Sequence, residues 1–158
     1  MADISVQNYA AGDFDDCLRI FDANCPEFFA ENERADYVSF LRESGEEYRV
    51  CFTDGRACGA FGLLDDKSDG HAARRLNWIM IDPAFQGMGL GTAIMSRAIS
   101  MAVESGAALI RIAASHKSAP FFARFNATVV KTTEDGWGKG MHRVDMELRV
   151  DGGLNRQG

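Results

Sequence analysis

The sequence has few of the features that mark secreted, membrane or nucleic-acid-binding proteins. Its four cysteines match neither a C-x-x-C redox pair nor the ligand spacing of a zinc site, and no signal-peptide pattern precedes them. No apolar run approaches the roughly 18 residues that a membrane-spanning helix needs. A net charge of −6 disfavours nucleic acid, whose phosphates call for a basic face. We therefore expect a cytoplasmic protein with reduced thiols, no bound metal, and no nucleic-acid or membrane partner.

The chain also has little that would separate domains, with three prolines and no low-complexity tract. Its 158 residues, 46% of them hydrophobic, fit one domain with a buried core. We expect a single domain over residues 1–150 and a frayed tail over residues 151–158.

Hydrophobic periodicity predicts a mixed order of strands and helices. A strand in ISVQNYAAGD is followed by a helix capped by Asp13 and by a broken helix in CPEFFAENERADYVSFLRES. Asp54-Gly55 between two β-rich runs predicts a two-residue hairpin turn. The runs RRLNWIMI and ALIRIAAS flank a helix in LGTAIMSRAISMAVESG, which predicts a parallel crossover. A short helix with Pro120 in its first turn ends by Asn126, and a hairpin containing the alternating MHRVDMELRV completes the order.

Three glycines, Gly87, Gly89 and Gly91, stand at alternate positions at the start of a predicted helix. A helix N-terminus carries unpaired amides and the positive end of the helix dipole, so a loop without side chains there can admit a phosphate group. The plainer alternative is a tight turn that needs only positive φ.

The residues around these glycines restrict which phosphate-containing ligand the loop could bind. A dinucleotide fingerprint would need glycine or alanine at Thr92 and a turn directly after the strand, and a P-loop would need Gly-Lys-Ser/Thr. A nucleotide-binding domain is therefore a distant alternative. The pattern that fits is Q-x-x-G-x-G, from Gln86 to Gly91.

The stretch MIDPAFQGMGLGTA resembles the pyrophosphate loop of the GNAT superfamily of N-acetyltransferases, and the predicted element order resembles that fold over almost the whole chain. The resemblance implies a mixed α+β fold with a central, strongly twisted sheet of about six to seven strands and about four helices. It also implies acetyl-CoA as co-substrate and direct acetyl transfer to a primary amine of a small molecule or peptide in a ternary complex. Homodimers are common in this family, so a homodimer is an open expectation here.

The resemblance assigns cofactor contacts to the loop and to the strand before it. The pyrophosphate would bind the loop amides and the pantetheine arm would pair with the strand, at Ile79, Met80, Ile81, Gln86, Gly87, Met88, Gly89, Leu90, Gly91 and Thr92. An amide near Ile81 could stabilise the oxyanion that forms at the thioester carbonyl.

Phe122 stands where the family usually carries a tyrosine that protonates the departing thiolate. A phenyl ring can pack against the pantetheine arm but carries no proton. An alternative function therefore stays open, that of a catalytically weak or inactive acyl-CoA-binding sensor or interaction module.

Two residues are candidates for proton transfer. His116 precedes the helix of Phe122, and imidazole titrates in the useful pH range, although a solvated loop histidine is the plainer explanation. Asp82 ends the strand near the expected chemistry, although an aspartate before proline commonly forms a turn.

The acceptor site is expected among aromatic and acidic residues. Phe29, Trp78, Trp137 and His142 are its candidates, although most aromatic residues fill a core. Glu27, Glu31 and Glu33 belong to the region that walls the acceptor site in the resembling family, with solvated helix carboxylates as the alternative. The acidic net charge slightly favours amines that arrive positively charged.

Overall fold

The computed structural model describes residues 3–43, 47–66, 72–85 and 87–151. These residues form four α-helices and a seven-stranded sheet in the following order: β1 (Ser5–Asn8), α1 (Phe14–Ala23), α2 (Arg34–Glu43), β2 (Tyr48–Thr53), β3 (Arg56–Asp66), β4 (Ala73–Ile81), α3 (Leu90–Glu104), β5 (Leu109–Ser115), α4 (Ala119–Ala123), β6 (Thr128–Gly138) and β7 (Met141–Arg149). The strand order in the sheet is β1-β2-β3-β4-β5-β7-β6. The mixed fold class predicted from the sequence is confirmed.

The chain divides into two compact units, Met1–Gly62 with Trp78–Ser96, and Leu63–Asn77 with Arg97–Gly158. The assignment of residues 1–150 to a single domain stays a prediction. Of the predicted tail, residues 152–158 lie outside the described residues.

In the first unit, helix α1 and the hairpin of β2 and β3 follow the sequence pattern. Cys17, Ile20 and Phe21 of α1 are fully buried in a core that also contains Tyr37, Leu41, Tyr48, Val50 and Ala60. Asp54 and Gly55 both have positive φ, 51° and 75°, and the flanking residues pair across a two-residue turn. The predicted break before α2 is a short 3₁₀ turn at Glu31–Glu33.

In the second unit, β5 pairs in parallel with the first half of β4 and antiparallel with β7. Residues 73–76 pair with residues 109–112, which confirms the predicted parallel arrangement of the two strands around α3. The predicted alternation in β7 is also confirmed, since Val144, Met146 and Leu148 are buried. Asn126 adopts the predicted left-handed conformation after α4, with φ of 76°.

Strand β6 extends further than the glycine-rich sequence predicts. The stretch EDGWG was expected in a turn, but it belongs to β6. The pairing with β7 is irregular between Thr133 and Gly138, where the longer β6 segment bulges against β7. The indole N–H of Trp137 donates to the carbonyl of Ala114 at 2.8 Å, which fastens the bulged segment to β5.

None of the helices in the described parts of the chain is long and apolar enough to cross a membrane. The same residues contain no group of three or more His, Cys, Asp or Glu side chains that could hold a metal ion.

Candidate functional site

The glycine loop, residues 87–89, meets the N-terminus of α3 with its backbone exposed. Gly87 and Gly89 have φ of 86° and 76°, and a Cβ built at either would meet no atom within 4 Å. The first hydrogen bond of α3 runs from the amide of Ala93 to the carbonyl of Gly89, at 3.1 Å. A helix starts with amides that have no acceptor inside it, and neither glycine carries a side chain that could screen those of α3. This arrangement fits an anion.

The flanking residues of the loop divide into anchors and exposed positions. Leu90 is 2% exposed and fixes the start of α3 in the core, whereas Met88 is 45% exposed. Gly91 and Thr92 lie in the first turn of α3 rather than in the loop. Gln86 lies outside the described residues.

The end of β4 is tied to α1 through two polar side chains. Asn24 is buried, and its Nδ2 donates to the carbonyls of Ile20 at 2.8 Å and Ile81 at 3.0 Å. Arg19 donates to the carboxylate of Asp82 at 2.6 Å. The carboxyl end of β4, where acyl transfer was expected, is therefore fixed by α1 within the first unit.

Asp82 is held by bonds to both of its carboxylate oxygens. Oδ2 accepts from Arg19, and Oδ1 accepts from the backbone amide of Ala84 at 2.9 Å, as in the turns that Asp-Pro sequences form. The side chain is 5% exposed. Hydrogen bonding to Asp82 also raises the pKa of Arg19, which keeps the guanidinium charged. Because both carboxylate oxygens bind groups of the protein and the side chain is buried, the geometry favours a positioning role.

Phe29 and Trp78, both expected at an acceptor site, lie together in an aromatic cluster of the first unit. Their ring centroids are 6.1 Å apart, and Trp78 also lies 5.0 Å from Tyr37 and 6.3 Å from Phe40. Phe29, Phe40 and Trp78 are only partly buried. The cluster thus presents aromatic surface beside the end of β4.

Of the three glutamates expected near the acceptor, Glu27 and Glu31 are exposed, as solvated carboxylates would be. Glu33 is 6% exposed, and its Oε2 accepts from the amide of Ala30 at 2.8 Å. Burial raises the pKa of Glu33, because removal from water disfavours the charged carboxylate.

The second unit brings together His116, His142 and Trp137 after the end of β5. The two imidazole centroids are 4.6 Å apart. Nδ1 of His116 accepts from the backbone amide of His142 at 3.1 Å, and Nδ1 of His142 accepts from the amide of Asp135 at 3.0 Å. Because an accepting nitrogen carries no proton, each neutral ring has its proton on Nε2. Trp137 donates to Ala114 and lies under the guanidinium of Arg143, 4.9 Å from the ring centroid.

Phe122 is 3% exposed in α4, so its ring packs in the interior of the second unit. Little of the ring is left for direct contact with a ligand.

Several residues around the site were not found from the sequence. Arg19, Asn24 and Tyr48 reach β4 from distant parts of the chain, and no local pattern marks such contacts. Asn77, just before Trp78, has a buried Oδ1 for which the described residues provide no hydrogen-bond partner.

Comparison with known proteins identifies one family. The profile of the acetyltransferase (GNAT) family matches residues 14–127. No curated protein matches the chain. Three solved structures share the fold at low sequence identity: yncA from Salmonella typhimurium, solved with its cofactor acetyl-CoA (17% identity, 95% of each chain covered, TM-score 0.70); the ribosomal-protein-S18-alanine N-acetyltransferase from Escherichia coli (15%, 94% of each chain, 0.73); and a mutant of the spermidine N-acetyltransferase from Vibrio cholerae (14%, 98% of each chain, 0.71).

Proposed function

The chain belongs to the acetyltransferase (GNAT) family, and from that premise we propose that it transfers an acetyl group from acetyl-CoA to a primary amine of a small molecule or peptide. The observation that carries the proposal is the glycine loop, where two left-handed glycines with open space beside them precede the N-terminus of α3. Pyrophosphate is the anion that such a helix start fits within acetyl-CoA.

The groups that would hold the rest of acetyl-CoA lie on β4. The backbone groups of Ile79 and Ile81 would pair with the pantetheine arm, and Met80 lies between them with its side chain buried. Gln86, Met88 and Thr92 flank the pyrophosphate in this assignment. Phe122 is buried, so its proposed contribution is one of packing within the second unit.

The reaction needs an oxyanion donor and a proton for the leaving group. The ammonium group of the acceptor first loses a proton to water. The amine nitrogen then attacks the thioester carbon, the carbon–sulfur bond breaks, and the nitrogen loses a second proton to water while CoA leaves as a thiolate that takes up a proton from water. The amide of Ile81 is the proposed oxyanion donor.

His116 is the proposed hydrogen-bond donor to the leaving thiolate, in place of the tyrosine that the chain lacks. Its Nδ1 accepts from the amide of His142, so the neutral ring has its proton on Nε2, from which it would donate to the sulfur, and water supplies the proton that the thiolate takes up. Asp82 serves in this proposal to position Arg19 and the end of β4 and is not the base.

The acceptor is proposed to be a primary amine that arrives with a positive charge. Partly buried aromatic rings at Phe29 and Trp78 offer faces that attract cations, and the net charge of −6 favours the approach of cations. Trp137 and His142 are further proposed contacts of the acceptor. We propose a cytoplasmic location, which agrees with four cysteines that are all present as thiols.

A thiol-release assay tests the proposal. The protein is supplied with acetyl-CoA and one of three amines, namely spermidine, a peptide with an N-terminal alanine, or a peptide with an internal lysine, and free CoA is measured against an amine-free control. We expect amine-dependent release and acetylated amine in equal amounts, with intersecting initial-rate lines for direct transfer. Parallel lines would point to an acetyl-enzyme intermediate and contradict direct attack.

A second candidate function, acyl-CoA binding without turnover, is favoured by the phenylalanine at position 122. It predicts saturable acetyl-CoA binding and no CoA release with any of the three amines. Measurement of CoA release therefore distinguishes the two functions.

A further inference from the structure

Trp78 has a backbone conformation that a bulky residue rarely adopts. Its φ is 46°, in the left-handed region. It stands two residues beyond Leu76, the last residue of β4 that pairs with β5. A strained residue at that place needs a contact that holds it.

The contact comes from Tyr48 at the start of β2. Its hydroxyl donates to the carbonyl of Trp78 at 2.6 Å, and the Tyr48 side chain is fully buried. Phe40 packs edge-on against the Tyr48 ring at 5.1 Å, and the hydroxyl of Tyr37 lies 3.0 Å from that of Tyr48. Burial raises the pKa of Tyr48 well above its ordinary value, so the hydroxyl keeps its proton and stays a donor.

The direction of the β4 backbone reverses across Trp78. In a regular strand, the backbone groups of successive residues point to opposite edges, so all even-numbered residues share one edge. Before Trp78, the carbonyl of Ala72 accepts from Ala108, which leads into β5. After Trp78, the amide of Asp82 donates to Cys58 of β3 at 2.8 Å. Even-numbered residues thus face opposite edges before and after Trp78, as they do across a bulge.

The reversal decides which amides reach the edge of β4 that lies away from β3. Beyond Trp78, that edge receives the backbone groups of Ile79 and Ile81. Without the reversal, it would receive those of Met80 and Asp82. The oxyanion donor proposed above, the amide of Ile81, therefore depends on the conformation of Trp78.

We propose that Tyr48 is a positioning residue for acetyl transfer, whose hydroxyl holds the Trp78 carbonyl and so turns the Ile79 and Ile81 amides toward the thioester. The inference rests on the proposed function. The buried hydroxyl of Tyr48 would not touch the reacting atoms and would act on them only through the backbone of β4.

The test compares Tyr48→Phe with Tyr37→Phe. The first variant removes the hydroxyl that binds Trp78. The second removes a neighbouring buried hydroxyl and leaves the Tyr48–Trp78 bond in place, so it controls for lost stability. The probe is acetyl-CoA labelled with ¹³C at the carbonyl, observed by isotope-edited infrared spectroscopy, with the dissociation constant of CoA measured beside it by calorimetry.

We expect the carbonyl band of acetyl-CoA to move to lower frequency on binding to the wild type and to Tyr37→Phe, because an amide donor polarises the carbonyl. Tyr48→Phe should lose most of that shift while CoA affinity stays within about twofold, because the glycine loop is unchanged.

Four results would overturn the proposal. The same shift in Tyr48→Phe as in the wild type would show that the hydroxyl does not position the donor. Equal loss of the band shift in both variants would show that Tyr48 has only a structural role. If the wild type binds acetyl-CoA without any shift of the band, no amide polarises the carbonyl. If the wild type does not bind acetyl-CoA at all, the proposed function is wrong as well.

Discussion

Gly59 on β3 has no room for a side chain. A Cβ at that position would lie 2.8 Å from both Cδ1 of Ile94 and the carbonyl oxygen of Met80. The Ile94 side chain can move, but the Met80 carbonyl belongs to the backbone of β4, which the proposed site needs in place.

We therefore predict that Gly59→Ala lowers the free energy of unfolding by about 1–3 kcal/mol through overpacking. Gly12→Ala is the matched control, because a Cβ there meets nothing within 4 Å. Urea denaturation measures both. Equal stability of the two variants would mean that β4 adjusts freely at Met80.

Glu33 makes stability depend on pH in a definite direction. Burial raises its pKa in the folded state, so the folded protein binds this proton more tightly than the unfolded chain. Its contribution to stability is complete below the unfolded pKa and is lost as pH rises through the folded pKa.

Glu33→Gln keeps an oxygen for the Ala30 amide and cannot ionise. We predict that this variant gains stability relative to the wild type as pH rises from the unfolded pKa of a glutamate through the raised folded pKa, in urea unfolding at several pH values. A constant difference for Glu33→Gln across this range would contradict the buried-carboxylate account.

His116 is the residue proposed to stabilise the leaving thiolate. We predict that His116→Ala lowers kcat by about 100-fold, the usual cost of removing one hydrogen-bond donor from a developing negative charge, with acetyl-CoA affinity within about twofold. In His142→Ala the backbone amide that orients His116 remains, so the loss should be smaller. Steady-state kinetics with the best amine and calorimetry separate the two effects, and an unchanged kcat in His116→Ala would remove the histidine from the mechanism.

At the scale of elements, α3 has a left-handed glycine near each end. Gly89 precedes the helix with φ of 76°, and Gly106 follows it with φ of 84°. A Cβ at either position would meet no atom within 4 Å. A side chain would therefore strain the backbone in the same way at both positions, and the two positions differ in which end of α3 they occupy.

We predict that Gly89→Val abolishes acetyl-CoA binding and leaves the fold largely intact, because the side chain would fill the space over the α3 amides. Gly106→Val should lose a similar amount of unfolding free energy, roughly 1–2 kcal/mol, because a residue with a side chain is strained in the left-handed conformation. Its affinity for acetyl-CoA should be unchanged. Calorimetry and thermal unfolding test the pair. Equal affinity in the two variants would take the glycine loop out of the binding site.

Local periodicity was sufficient to predict most elements. The β2–β3 turn at Asp54-Gly55, the parallel pairing of β4 and β5, and the alternation in β7 each depend on neighbouring residues in the chain, which the sequence displays directly. The glycine loop was found in the same way, from a short pattern before a helix.

The irregular parts of the strands could not be predicted in this way. The left-handed Trp78 is held by Tyr48, 30 positions earlier, and the bulged end of β6 is held by Ala114, 23 positions earlier. From the sequence alone Asp82 is a candidate for proton transfer, whereas its hydrogen bonds with Arg19 and Ala84 are the reason that we propose a positioning role for it. The contacts of Tyr48, Ala114 and Arg19 come from other elements, so no short window of sequence contains them.

At the scale of the whole molecule, family membership and fold agree, but they leave the acceptor open. Solved structures that cover 94–98% of this chain have only 14–15% identity to it and are named for acceptors as different as spermidine and a protein alanine. The fold therefore accommodates different acceptor sites around a common architecture. The aromatic cluster at Phe29 and Trp78 is where this chain would set its own preference.

A calorimetric titration of the wild-type protein with acetyl-CoA, run beside CoA, ATP and NAD, tests the central claim most directly. The account predicts saturable one-to-one binding of acetyl-CoA and CoA and no binding of ATP or NAD. A folded protein that binds neither acetyl-CoA nor CoA would contradict it, because the glycine loop would then be a turn and the family architecture would persist without its co-substrate.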